Sequence, residues 1–123
     1  MKIPNKHSDL QFLRNVLVEF TKERDWEKFH TPKNLATALT VEAAELLEPF
    51  QWLKSGLADE LSDSQKAAVR FEMADVLAYL ILLADKLGID LGEALIEKNE
   101  LNAAKYPADV VRGDSRKYSE YKK

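Results

Sequence analysis

Apolar residues recur at helical spacing along most of the chain, and no stretch shows the period-two alternation of a half-buried strand. Leu10, Leu13, Val16, Leu17 and Phe20 form a stripe that predicts a first helix over residues 9–24, with Ser8 as its cap and Lys22, Glu23 and Arg24 at its polar end. Residues 25–34 break the pattern and read as a loop carrying Trp26, Phe29 and His30. Thr31-Pro32 pairs a hydroxyl cap with proline at the first helical position, which starts a second helix over 32–54, stopped by Ser55-Gly56. Pro49 falls in its last turns and crowds the carbonyl of Glu45, so a bend is expected there. Beyond a polar linker, Ser62 and Gln65 can form a capping box for a third helix over 64–87, and Gly88 ends it. Asp90 and Glu93 open a fourth helix through Leu91, Leu95, Ile96, Asn99 and Asn102, closing near Lys105 before Tyr106-Pro107. Residues 108–123 form a basic tail with Arg112, Arg116, Lys117, Lys122 and Lys123, interleaved with Tyr118 and Tyr121.

This pattern predicts an all-α, four-helix bundle-like fold, and 123 residues fit a single domain spanning 1–123. Scarce Gly and Pro, four of each, agree with helix. Residues 76–84 are apolar nearly all round, which puts the third helix at the centre of a bundle or in a subunit interface. That apolar run is far too short to span a membrane, and no apolar segment follows Met-Lys-Ile-Pro-Asn, so a cytoplasmic protein without a signal peptide is expected. A net charge of −3 argues against nucleic acid or an acidic membrane as partner. The absence of cysteine excludes disulfides, thiolate chemistry and zinc–cysteine sites.

Two acidic pairs change this picture. Glu42/Glu45 and Glu72/Asp75 each lie three residues apart, on one face of a helix, among apolar neighbours. Asp59/Glu60 and Glu97/Glu100, by contrast, read as solvated charges. No Lys or Arg occurs between Asn34 and Lys54 or between Phe71 and Asp85, so neither helix neutralises its own pair. If the helices pack antiparallel, four carboxylates converge, and they cannot all stay ionised without a counter-charge. Four oxygen ligands without His or Cys suit a hard cation, Mg²⁺ or alternatively Mn²⁺. A di-iron site needs Glu-x-x-His motifs, and neither His7 nor His30 lies in one.

Mg²⁺ held by a few carboxylates commonly engages phosphate oxygens, which points to nucleotide chemistry. No Gly-rich phosphate loop is present. Phosphates would rely on the metal and on side chains such as Lys98, Lys105, Arg112, Arg116 and Lys117, and a base on Trp26, Trp52, Phe29 and His30.

The Glu-x-x-Glu and Glu-x-x-Asp motifs resemble those of the all-α nucleoside triphosphate pyrophosphatases, the MazG-like superfamily. Residues 24–30 (Arg-Asp-Trp-Glu-Lys-Phe-His), Pro32-Lys33-Asn34, Phe50-Gln51-Trp52, Tyr106-Pro107 and residues 112–118 resemble its dCTP pyrophosphatase branch. The resemblance implies cleavage between the α- and β-phosphates of a deoxynucleoside triphosphate, with Glu42, Glu45, Glu72 and Asp75 binding Mg²⁺. It implies that Trp26 and Trp52 hold the base with His30, Asn34 and Tyr79 near it, and that Lys98, Asn102 and the basic residues towards the tail contact the triphosphate. It implies homodimers or homotetramers with shared sites. Glu45 is the carboxylate expected to orient or deprotonate the attacking water. Pro49 departs from the family's usual helix former and puts the placement of Trp52 in question. Two alternatives stay open: a non-enzymatic helical oligomerisation or binding module, and a related all-α hydrolase acting on dUTP or phosphoribosyl-ATP.

Overall fold

The computed structural model describes residues 9–120, which form helices and turns with no strand among the described residues. Its helices are α1 (Leu10–Glu23), α2 (Pro32–Leu47), α3 (Asp63–Leu87), α4 (Leu91–Lys105) and α5 (Ala108–Val111). Single 3-10 turns occupy Glu27–Phe29, Ala58–Glu60 and Tyr118–Glu120. The chain divides into two compact units, one ending at Gly88 and the other beginning at Ile89. Ser8, the expected first cap, lies outside the described residues, as do His7, Tyr121, Lys122 and Lys123.

Most boundaries follow from capping chemistry. Asp9 caps α1, its carboxylate accepting from the N–H of Gln11 at 2.8 Å. Thr31 caps α2 through the N–H of Asn34, as its hydroxyl and the following proline predict. The capping box of α3 is complete: Ser62 Oγ accepts from the N–H of Gln65, and the Gln65 side chain accepts from the N–H of Ser62. Gly88 closes α3 in the left-handed conformation at φ 66°. Asp90 caps α4 through the N–H of Glu93 at 3.0 Å.

Helix α2 does not reach residue 54. It ends at Leu47, two residues before Pro49, and the expected bend is instead a termination. Pro49 has no N–H to give to the carbonyl of Glu45, and that carbonyl is taken by the N–H of Glu48 at 3.2 Å. The chain then steps through successive tight turns, Phe50 N–H to Leu47 C=O at 2.9 Å and Leu53 N–H to Phe50 C=O at 3.1 Å. The tail is also more ordered than a basic tract suggests. It contains α5, and Tyr118 meets Tyr106 edge-to-face at 5.9 Å.

Within the first unit α2 packs along α3, and α1 lies against α3 as well. Leu35, Ile81, Leu82 and Ala84 form the buried apolar core among the described residues, joined by Thr21, whose hydroxyl donates to the Val18 carbonyl. Arg14 of α1 donates to Asp85 of α3 at 2.7 Å, tying those helices together. The all-round apolar half of α3 is thus only partly covered: Leu77 and Leu80 are exposed.

Candidate functional site

Glu42 and Glu45 project from one face of α2 towards Glu72 on α3. One carboxylate oxygen from each lies within 4.8 Å of the other two, and all three side chains are half-buried. Oε2 of Glu42 and Oε2 of Glu72 are inaccessible to solvent and accept no hydrogen bond. Among the described residues, no ion pair reaches any of the three.

Uncompensated acceptors held this close favour anything positive between them. The carboxyl of Glu42 accordingly rises from an ordinary 4.5 to about 7. The first cause is the Glu72 carboxylate, placed to accept a hydrogen bond from Glu42 once Glu42 is protonated, followed by Glu45 in the same way, by burial and by the two negative charges. The same arrangement suits a divalent cation. The donors are all carboxylate oxygens, the ligands of hard ions, and two of them are buried without partners.

Asp75 does not join this set. It sits one turn beyond Glu72 on α3, is exposed, and lies outside the three converging carboxylates. A fourth negative charge beside the other three would add to their mutual repulsion.

The aromatic residues are placed by backbone devices. At the end of α1, Trp26 N–H bonds to Thr21 C=O at 2.9 Å and Asp25 N–H to Lys22 C=O at 3.1 Å, a Schellman closure. Asp25 adopts the left-handed φ of 53° that this closure needs, and its carboxylate accepts from Lys28. The closure seats Trp26 edge-on against Phe20 at 5.7 Å, and the Arg24 guanidinium lies over the Phe20 ring, 3.8 Å from its centroid. Asn34 donates to the Phe29 carbonyl at 2.9 Å and so holds the loop before α2; His30 in that loop is half-buried. Tyr79 is half-buried on α3, two turns beyond Glu72. Trp52 is 85% exposed.

Lys98, Asn102, Lys105, Arg112, Arg116 and Lys117 all belong to the second unit. There Lys105 lies over the rings of Tyr118 and Tyr106, at 4.9 and 5.7 Å from their centroids, and Arg116 pairs with Asp114 at 2.7 Å. One organising residue lies outside the acidic pairs and the aromatic positions. Glu60 is not the solvated charge its sequence context suggests: it is half-buried and accepts from the N–H groups of Lys54, Ser55 and Gly56. A Ser-Gly turn followed within a few residues by a carboxylate is the signal that could have revealed it.

A helical domain in which two packed helices bring three carboxylates together defines a class of helical acidic-site protein. Residues 37–121 match the MazG-like family. The chain belongs to that family. It is 43% identical over 113 residues to dCTP pyrophosphatase 1 of Homo sapiens and 39% identical to that of Bos taurus, covering 90% of this chain in each. The match spans 66% of the human protein and 67% of the bovine one, so the chain covers about two thirds of the length of these curated relatives. A crystal structure of a pyrophosphatase from Archaeoglobus fulgidus superposes with a TM-score of 0.74 at 42% identity, over 87% of this chain and 98% of that one.

Proposed function

We propose that this chain is a nucleoside triphosphate pyrophosphatase that converts a deoxynucleoside triphosphate, dCTP or a close relative, to the monophosphate and pyrophosphate. The observation that carries the reading is the cluster of Glu42, Glu45 and Glu72, with two buried carboxylate oxygens that have no partner. The curated relatives named dCTP pyrophosphatase 1 support the substrate, and the solved pyrophosphatase supports pyrophosphatase chemistry.

Glu42, Glu45 and Glu72 would hold Mg²⁺, or Mn²⁺ in its place, with Asp75, one turn beyond Glu72 on α3, as the fourth carboxylate. Such an ion supplies neutralisation of phosphate charge and a more acidic water. Glu45 orients the attacking water and takes its proton. The water oxygen bonds to the α-phosphorus as the bond from that phosphorus to the α–β bridging oxygen breaks, and pyrophosphate leaves with the electron pair. Trp26 and Trp52 present ring faces to the base, and His30, Asn34 and Tyr79 line the approach to it. Lys98, Asn102, Lys105, Arg112, Arg116 and Lys117 offset the triphosphate charge.

The working assembly is a homodimer or homotetramer. Met73, Leu77 and Leu80 are exposed at i, i+4 and i+7 on α3, a face that a second copy would cover. No helix among the described residues is long and apolar enough to cross a membrane. We place the enzyme in the cytoplasm, which its cysteine-free sequence suits.

The test is pyrophosphate release from the four deoxynucleoside triphosphates, dUTP and phosphoribosyl-ATP, each with Mg²⁺ and with a chelator. Preference for dCTP supports the reading. Preference for dUTP or phosphoribosyl-ATP moves the enzyme to a neighbouring specificity, and no release from any of them rules out the hydrolase.

A further inference from the structure

Trp52 is the most exposed large apolar side chain among the described residues, and no ring or cation–π contact there holds its indole. Its direction is therefore set by the backbone on either side. On the N-terminal side the tight turns after Pro49 fix residues 50–53. On the C-terminal side the anchor is a single carboxylate. Glu60 Oε2 accepts from Lys54 N–H at 2.9 Å, and Oε1 accepts from Ser55 N–H and Gly56 N–H, each at 2.8 Å. The Ser55 hydroxyl donates to the same Oε1 and accepts from Leu57 N–H at 3.2 Å. Gly56 supplies the left-handed turn, φ 74°, that aims these successive N–H groups inward. Glu60 itself is fixed by its N–H to the Leu57 carbonyl at 3.1 Å.

This is a backbone nest of the kind that binds anions, filled by the chain's own side chain. It closes residues 54–60 into a rigid ring that begins two residues after Trp52. The carboxyl of Glu60 is lowered to about 2, first by the Ser55 hydroxyl and then by the backbone N–H groups, as such a nest requires. The ring lies at the surface and adds little to the core, so its rigidity acts on what it carries.

We propose that Glu60 is a positioning residue for nucleotide binding: its carboxylate locks the loop of residues 54–56 and thereby holds the Trp52 indole as a stacking surface for the base. The proposal rests on the reading of Trp52 as a base-stacking residue. Fixing an exposed ring before the ligand arrives removes an ordering cost from binding, and affects affinity rather than the chemical step.

Two measurements test it. In a Trp26→Phe background Trp52 is the sole tryptophan, since the chain has two. Glu60→Gln then lowers the steady-state anisotropy of its fluorescence, and Ser55→Ala lowers it less. Unchanged anisotropy in both overturns the proposal. In dCTP turnover with Mg²⁺, Trp52→Ala raises KM roughly tenfold through the lost stack. Glu60→Gln raises KM about threefold to tenfold with kcat within about twofold, and adds nothing further in the Trp52→Ala protein. A normal KM for Glu60→Gln beside a raised one for Trp52→Ala overturns the role of Glu60 alone. A normal KM for Trp52→Ala overturns the stacking reading and this proposal with it. Additive losses in the double variant, or a kcat that falls with the melting temperature, make Glu60 a merely structural residue and overturn it too.

Discussion

A carboxyl raised to about 7 beside two others has a defined effect on stability. Folded, metal-free protein keeps a proton on Glu42 that the unfolded chain releases near 4.5. Between those values the folded state binds more protons, so this group's contribution is fully present below about pH 4.5 and is lost as pH rises through about 7. Thermal unfolding in chelator is expected to show this fall, and Glu42→Gln, which cannot ionise, to lack it. Adding Mg²⁺ should restore stability at neutral pH in the parent protein and not in the variant. Glu60 acts in the opposite sense. Its contribution is present above about 4.5 and is lost as pH falls through about 2, so Glu60→Gln should blunt acid unfolding in that range. The residue-level chemistry was partly legible in the sequence. Glu42, Glu45 and Glu72 stood out because no Lys or Arg shares their stretches of helix. The nest around Glu60 left only a faint trace, a Ser-Gly turn with a carboxylate a few residues on, because its donors are mostly backbone N–H groups that residue type does not report.

Helix ends were the most readable elements, because caps act over three or four residues. Ser62/Gln65, Thr31-Pro32, Asp90 and Gly88 all sit where their side chains or lack of one predict. Each makes a testable contribution. Ser62→Ala should cost about 1 kcal/mol in denaturant unfolding through loss of its cap. Gly88→Ala should cost about 1 kcal/mol as well, from the left-handed backbone alone, since a Cβ there meets nothing within 4 Å. The end of α2 was misjudged for a physical reason. Apolar periodicity continues past Pro49, and the missing N–H, not the pattern, decides where the helix stops. The termination changes what the segment does: residues 48–53 become a turn that displays Trp52 rather than a last helical turn that would bury one side of it.

At the scale of the whole molecule the apolar content exceeds what one chain buries. Hydrophobic residues are 46% of the sequence, yet Phe71, Met73, Leu77 and Leu80 on α3 and Leu95, Ile96 and Leu101 on α4 are all exposed. We propose that these exposed apolar side chains meet a second copy of the chain. Sedimentation equilibrium should return the mass of two or four chains, and Leu77→Lys with Leu80→Lys should shift it towards one. The sequence placed the apolar half of α3 in either a core or an interface; no periodicity distinguishes those, because both demand the same residues.

The proposed function stands or falls on the three carboxylates that α2 and α3 bring together as a metal-dependent centre. Pyrophosphate release from dCTP, measured with Mg²⁺ and with chelator for the parent protein and for Glu45→Gln, tests it most directly. Release is expected to require Mg²⁺ and to fall at least about 100-fold in Glu45→Gln, since even outer partners of metal ligands cost about 10–100-fold, while the variant's far-ultraviolet circular dichroism stays that of the parent. Equal release in chelator, or undiminished release by Glu45→Gln, would contradict it.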